Sequence, residues 1–229
     1  MEIRKKLIAI VSLLAFVTLV PHFAQTEEKK ADPKSEANGA KKIEKKKDNP
    51  WVLKKDKNGI KVFIRNVEGS GFKEFLGMAV FDTSIDRLER IISDVPNQVN
   101  WMCDVIEARV IREDRVNPIQ YNVISAPLVS NRDVVIQTRV VRTPGKVIRY
   151  FTGIQLDAVP PRKGAVRMPK MVGMWMFESM GPNRTRVTYQ NLTDPGGSLP
   201  SGLVNMTVVK MPFVTLEGMR KQLDNPKYK

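Results

Sequence analysis

Few residues in this chain could act as a nucleophile, a general base or a metal ligand. Its 229 residues include one histidine, His22, and one cysteine, Cys103. Without a second cysteine, neither an intramolecular disulfide nor a thiolate metal cluster can form. Because His22 stands near the N-terminus, ahead of the main body of the chain, that body cannot hold a Ser-His-Asp, Cys-His or histidine-ligated metal site.

The remaining groups for acid-base chemistry are carboxylates and tyrosines. The spacing of the carboxylates identifies no working pair, and an enzyme would have to aim Asp157, Glu178 or Tyr189 into a cavity. No glycine-rich phosphate loop of the Walker or dinucleotide type is present. The sequence therefore predicts no catalytic residue, no metal and no cofactor, and an enzyme that uses only such acidic groups stays an alternative.

Charge is the second feature with chemical consequences. The formal net charge is +14, of which residues 1–24 and 25–50 contribute +2 each, so residues 51–229 carry about +10. A basic body favours anionic partners, either nucleic acid or an anionic membrane surface, although solubility alone explains it equally well. Because no nucleic-acid-binding motif is recognisable, we expect the membrane surface and no nucleic acid.

Residues 1–24 have the form of a secretory signal peptide. Three basic residues at 4–6 precede the uncharged apolar run Leu7–Val20, which is shorter than the ~20 residues of a spanning helix. His22 stands where a cleavage site prefers a small residue, so an uncleaved anchor is the alternative. We expect a protein that is exported, periplasmic or secreted, or else tethered to the membrane by this segment.

Residues 25–49 are rich in Lys, Glu, Asp and Ala and contain almost no large apolar side chain. Such a segment cannot bury enough apolar surface to offset the entropy that is lost on ordering. It predicts a flexible charged tether, and residues 50–229 then form one folded domain.

The body of the chain alternates strand-like and helix-like patterns. Strands are predicted at 51–55 and 60–65, on either side of an Asp-Lys-Asn-Gly turn, and at 72–81. Ser84 precedes apolar residues at three- and four-residue spacing, which predicts an amphipathic helix over 84–94. Six more strands are predicted, with short turns that indicate an antiparallel meander, at 105–113, 119–125, 132–142, 147–156, 170–179 and 185–193.

The C-terminal segment from Leu199 to Leu223 predicts one long amphipathic helix. Its apolar stripe consists of Val209, Phe213, Leu216 and Met219. Pro212 lies inside this helix and lacks a backbone N–H, so a kink is expected there. A curved sheet that a single helix closes has room for a cavity.

Five segments of the body resemble the START (steroidogenic acute regulatory protein-related lipid transfer) family. They occur in family order over about residues 51–223, and they are Asn58–Phe63, Asp94 with Trp101, Pro127–Val134, Gly164–Arg167 followed by Gly173–Trp175, and Asp194–Pro200 before the terminal helix. One difference is Thr138, since the sterol-binding branch, as aligned, carries an arginine there. Arg139 next to it points to the opposite face of the strand.

The resemblance implies an α+β helix-grip fold, in which a curved antiparallel sheet is closed by a long C-terminal helix around an internal cavity. It also implies that this tunnel holds one lipid or sterol-like ligand, without catalysis. We expect a monomer that carries or presents the ligand at membranes. Because a fold does not determine a function, a helix-grip enzyme of the polyketide cyclase type and a lipid-sensing regulatory module stay alternatives.

The ligand contacts that we predict are Arg167, Met174, Met176, Tyr189, Val208, Met211 and Thr215. Methionine side chains adapt to irregular apolar ligands, although core packing explains them equally well. Arg167 is expected either to anchor a headgroup or to pair with a structural partner such as Glu178. Arg132 and Asp133 are expected to form a structural charge pair.

Overall fold

The computed structural model describes residues 49–126, 129–197 and 199–229. The leader and the tether lie outside these residues, as do Pro127, Leu128 and Ser198 of the motifs above, so the predictions made for them stay predictions. Within the described ranges, no helix is both long enough and apolar enough to cross a membrane.

The domain begins with three antiparallel strands, β1 (Val52–Lys57), β2 (Ile60–Arg65) and β3 (Glu74–Phe81). Asn58 and Gly59 make the turn between β1 and β2, and both have positive φ angles, 54° and 70°. A two-residue hairpin turn of this kind requires positive φ at both positions, which Asn-Gly adopts at low cost.

Helix α1 (Ile85–Ser93) confirms the predicted amphipathic helix. The hydroxyl oxygen of Ser84 accepts a hydrogen bond from the backbone N–H of Arg87 at 3.4 Å and so caps the first turn. Leu88, Ile91 and Ile92 are its buried residues. A short 3₁₀ helix, Val95–Asn100, follows and leads the chain back to the sheet.

Seven further strands complete one ten-stranded sheet: β4 (Val105–Arg112), β5 (Ile119–Ile124), β6 (Asn131–Thr143), β7 (Lys146–Ile154), β8 (Ala165–Arg167), β9 (Lys170–Ser179) and β10 (Thr185–Asp194). The order is β1-β2-β3-β10-β9-β7-β6-β5-β4, and the curved sheet does not close into a barrel. The six strands of the predicted meander pair antiparallel in the order β4-β5-β6-β7-β9-β10, which confirms it. Strand β8 was not predicted, because three residues are too few for a pattern, and it pairs with β6 in parallel.

The C-terminal segment forms two helices instead of one, α2 (Ser201–Thr207) and α3 (Lys210–Lys221). The interruption lies at Val208 and Val209, so the kink expected at Pro212 was predicted at the wrong place. Pro212 is the third residue of α3, and the first turn of a helix needs no intrahelical partner for its N–H groups.

Helix α3 packs tightly against the rest of the domain. A Cβ atom at Gly218 would lie 2.2 Å from the carbonyl oxygen of Trp101, and one at Gly77 of β3 would lie 2.9 Å from side-chain atoms of Pro212 and Leu216. Only glycine permits approaches this close. Helix α2, in contrast, has no buried residue. The C-terminal segment therefore combines a firmly packed helix with a loosely attached one.

Candidate functional site

An internal cavity of about 70 Å³ lies under the start of α3. Strands β4 to β7, β9 and β10 line it, together with the end of α1, the 3₁₀ helix and α3. Its apolar wall includes Ile136, Phe151, Met171, Trp175 and Met211. A molecule placed here would contact side chains of both the sheet and the helices.

Aromatic rings form the floor of this cavity. The rings of Trp175 and Tyr189 stack with centroids 4.0 Å apart and an angle of 6° between their planes, and Phe151 lies 6.3 Å from Tyr189. Burial raises the pKa of Tyr189, so the phenol stays protonated at neutral pH. This floor offers a flat apolar surface with one hydroxyl group.

Three amide side chains form a buried polar group at one end of the cavity. The Gln98 carbonyl oxygen accepts from the amides of Gln120 at 2.8 Å and Asn122 at 3.3 Å, and the Gln120 amide also donates to Asn122 at 2.9 Å. Gln98 in turn donates to the backbone carbonyl of Ile92 at 3.1 Å. These bonds hold a neutral polar surface in place, because each amide is largely satisfied by its neighbours.

The polar groups nearer to α3 are neutral as well. Thr215 of α3 accepts a hydrogen bond from the backbone N–H of Cys103 at 3.1 Å. Burial, and secondarily Asp104, raises the pKa of the Cys103 thiol to about 12, which keeps it protonated and unreactive. The side-chain oxygen of Asn191 is buried and accepts no hydrogen bond from the described residues. It is therefore free to accept one from a bound molecule.

One charged side chain lines the cavity, the Arg149 guanidinium of β7. It is 8% exposed, and one of its terminal nitrogens lies 3.5 Å from the Glu89 carboxylate and donates to the Ser93 hydroxyl at 3.2 Å. Burial lowers the pKa of Arg149. A cationic group thus stands at the amide end of an otherwise neutral cavity.

The structure brings three of the seven predicted contacts to the cavity, namely Tyr189, Met211 and Thr215. Val208 is buried at the interruption between α2 and α3 but does not line the cavity. Met174 and Met176 were expected inside and lie on the opposite face of β9, since Met171 and Trp175 line the cavity and alternate residues share a face. Whether the three lining residues contact a ligand stays a prediction.

Arg167 also lies away from the cavity, and its partner is Asp133 rather than Glu178. Two nitrogens of Arg167 donate to the two oxygens of Asp133, each at 3.0 Å. Arg132, expected to pair with Asp133, instead donates to the backbone carbonyls of Ser130, Pro195 and Gly196. Both arginines thus connect the start of β6 to the segments around it.

The acidic groups considered for catalysis are not at the cavity. Asp157 is exposed, and Glu178 forms an ion pair with Lys146 at 3.2 Å. In the part of the chain that the structure describes, no group of three or more His, Cys, Asp or Glu side chains could hold a metal ion. Of the three candidates, only Tyr189 lines the cavity.

Sequence reasoning missed the polar end of the cavity, which consists of Gln98, Gln120, Asn122 and Arg149. A usable signal existed in the strands. Gln120 and Asn122 are two residues apart in β5, as are Arg149 and Phe151 in β7, so each pair occupies one face. Polar residues at core-facing positions are the informative ones.

The curved sheet, the C-terminal helix and the partly enclosed cavity between them define a helix-grip fold. The family model of the START domain matches residues 23–229. The chain belongs to the START domain family.

Solved structures and sequences agree with this assignment. The crystal structure of a STAR-related lipid transfer protein fragment from Xanthomonas axonopodis is 36% identical with a TM-score of 0.71, and the match covers 76% of this chain and 99% of that one. Human STARD10 is 25% identical with a TM-score of 0.68, covering 78% and 75%. An uncharacterised protein of Pseudomonas aeruginosa is 36% identical over 172 residues, which are 74% of this chain and 85% of that protein.

Proposed function

We propose that this protein binds one lipid or similar apolar molecule in the internal cavity and carries or presents it at an anionic membrane surface, without catalysing a reaction. The observation that supports the proposal is a partly enclosed, largely apolar cavity between the sheet and α3 in a START domain. Its likeness to a STAR-related lipid transfer protein favours the same role. Each CH₂ group that leaves water contributes about 0.8 kcal/mol, so a sixteen-carbon chain gains on the order of 10 kcal/mol before ordering costs.

The cavity must widen to accept such a ligand. Its volume is about 70 Å³, whereas sites for drug-sized ligands occupy about 300–1,000 Å³. Met102, Met171 and Met211 line it, and these unbranched side chains can adopt other rotamers. Rotamer changes alone do not supply several hundred Å³, so a segment of the wall must also move.

We propose that the moving segment is residues 201–211, which comprise α2 and the start of α3 ahead of Pro212 and which we call the lid. The side chain of Asn205 fixes α2 to the β2–β3 loop, since it accepts from the N–H of Lys73 at 3.0 Å and donates to the carbonyl of Gly71 at 3.2 Å. At the start of α3, Lys210 forms an ion pair with Asp104 at 3.1 Å. These are few polar contacts, and most are at the surface, where each contributes little.

The outer side of the lid suits a membrane surface. Leu203 and Met206 of α2 are 56% and 77% exposed, and the body carries a basic excess. Basic residues near an anionic bilayer contribute about 1 kcal/mol each. Export through residues 1–24 is part of the same proposal, and the N-terminal sequence of the mature protein checks it.

Replacing Met206 with aspartate should slow lipid transfer from anionic vesicles several-fold, because the exposed thioether would no longer enter the bilayer. Thr207→Asp is the matched control, since it adds the same charge to the same helix without removing apolar surface. Stopped-flow transfer of a fluorescent lipid between vesicles measures the rate. Equal rates for the two variants would contradict a role of Met206 in membrane contact.

Filling the cavity tests the binding proposal itself. Thr138 lines the cavity, whereas Arg139 next to it is exposed on the other face of β6. We expect Thr138→Trp to abolish lipid extraction from liposomes, because the indole occupies the space that the ligand needs. Arg139→Trp should extract lipid as the wild-type protein does. Melting curves control for folding, since overpacking a core costs about 1–3 kcal/mol, and extraction by Thr138→Trp at the wild-type level would contradict the proposal.

A further inference from the structure

A second pocket adjoins the amide end of the cavity. It has a volume of about 440 Å³ and is lined by residues of the β4–β5 turn, the end of α1 and the β6–β7 hairpin. The cavity and this outer pocket share two lining residues, Gln120 and Arg149. Arg149 therefore lies at the boundary between the apolar interior and a surface pocket. No residue of α3 lines this outer pocket.

The outer pocket is electrostatically positive. Arg112, Arg115, Arg142 and Arg149 line it together with two carboxylates, Glu113 and Asp114. Asp114 is already engaged, since its carboxylate accepts from the backbone N–H groups of Val116 at 2.7 Å and Asn117 at 2.8 Å. An anion entering this pocket would meet more cationic groups than anionic ones.

The charge of Arg149 is only partly compensated. Glu89 is its single acidic neighbour, and both oxygens of Glu89 are taken by Arg142, at 2.8 Å and 3.3 Å. Arg149 is left with a longer contact of 3.5 Å to the same carboxylate. The hydrogen bonds that Arg149 makes within the described residues all come from one guanidinium nitrogen, Nη1, which donates to Glu89 and Ser93. A largely buried guanidinium that uses one nitrogen in this way is suited to a carboxylate or phosphate, which it can bind through two parallel hydrogen bonds.

We propose that Arg149 anchors the anionic headgroup of an amphiphile, with the apolar chain in the cavity toward α3 and the headgroup in the outer pocket. This inference rests on the proposed function and adds the ligand class, a lipid with a carboxylate or phosphate at one end. The headgroup then stays near water, while the apolar chain of the ligand lies inside the cavity. The Arg149 guanidinium and the anionic group are the only charges that meet at the boundary between the two. The amides of Gln98, Gln120 and Asn122 border the headgroup without competing for its charge.

Three ligands with the same twelve-carbon chain test this assignment by isothermal titration calorimetry: dodecanoate, dodecyl phosphate and 1-dodecanol. We expect the wild-type protein to bind at least one of the two anions about tenfold more tightly than the alcohol, since one charge-assisted pair of hydrogen bonds is gained. The better of the two anions distinguishes a carboxylate source from a phosphate source. A preference for the alcohol, or equal affinities, would overturn the proposal and would favour a neutral ligand held by Asn191 and Tyr189.

Two substitutions at the boundary should act in opposite directions. Arg149→Met should abolish the preference for the anion and leave the affinity for the alcohol unchanged, whereas Glu89→Gln should increase the preference because it removes a competing carboxylate. Arg139→Met, on the exposed side of β6, is the matched control and should behave as the wild type. If Arg149→Met does not fold, the anion preference of Glu89→Gln is the deciding measurement, and an unchanged preference in that variant overturns the proposal.

If none of the three ligands binds while lipid is still extracted from liposomes, the headgroup assignment fails and the proposed function stands.

Discussion

Asp133→Asn should lower the free energy of unfolding by about 3–5 kcal/mol, because it leaves a buried guanidinium without its counterion. Asp133 is fully buried and accepts two hydrogen bonds from Arg167, one from the Tyr121 hydroxyl at 3.1 Å and one from the Arg162 backbone N–H at 3.0 Å. An asparagine keeps the shape but presents an N–H group to donors, so several of these bonds are lost together. Denaturant unfolding at pH 7 measures the change.

The same variant should show a characteristic pH dependence. Burial alone would raise the pKa of Asp133, but the hydrogen bonds from Arg167, Arg162 and Tyr121 outweigh it and lower the pKa. A carboxylate with a lowered pKa stabilises the fold above its unfolded pKa of about 3.9, and this contribution is lost as the pH falls through the folded-state pKa. The difference between wild type and Asp133→Asn should therefore be full at neutral pH and shrink below about pH 4.

Glu178→Gln is the control for that experiment. It removes a carboxylate that also forms an ion pair, with Lys146, but this pair is partly exposed. Exposed ion pairs contribute about 0–1 kcal/mol. If Asp133→Asn lowers the free energy of unfolding at pH 7 no more than Glu178→Gln does, the Asp133–Arg167 pair does not stabilise the start of β6 as we infer.

A disulfide between residues 71 and 201 should slow lipid loading and release by about tenfold or more, because lid motion would then be prevented. A Cβ atom on Gly71 would lie 3.4 Å from the Cβ of Ser201, close to the separation in a disulfide. The variant Gly71→Cys/Ser201→Cys thus joins the start of α2 to the β2–β3 loop. Transfer of a fluorescent lipid between vesicles is measured with the bond oxidised and again after reduction.

The reduced double variant is the internal control and should transfer lipid at the wild-type rate. The native Cys103 does not interfere, since it is buried and its raised pKa keeps the thiol protonated. Ser201→Cys alone controls for the substitution. If the oxidised protein exchanges lipid as fast as the reduced one, the ligand enters by a route other than the lid, although binding in the cavity would stand.

The elements of this fold that depend on local sequence were predictable. Ser84 and the spacing of Leu88, Ile91 and Ile92 identify α1, and Asn58-Gly59 identifies the first hairpin. In β10, Val187 and Tyr189 alternate with polar neighbours, which places Tyr189 on the buried face. In each of these segments, a local pattern of capping, turn residues or alternation is compatible with only one secondary structure.

The features that depend on tertiary pairing were not predictable in the same way. In β9, apolar residues occupy both faces, so the sequence does not show that Met171 and Trp175 rather than Met174 and Met176 line the cavity. The pairing of Asp133 with Arg167 depends on the parallel contact between β6 and β8. The place of Arg149 between the cavity and the outer pocket likewise depends on how β7 packs against β5 and α1, which no local pattern shows.

Native mass spectrometry after incubation with liposomes tests the central claim most directly, because it weighs the protein together with whatever it has extracted. We expect the wild-type protein to carry one lipid molecule per chain, and Thr138→Trp, measured in parallel, to appear at its bare mass. A folded wild-type protein that appears only at its bare mass, whether purified from cells or taken from liposomes of any headgroup composition, would contradict the claim that this cavity holds a lipid.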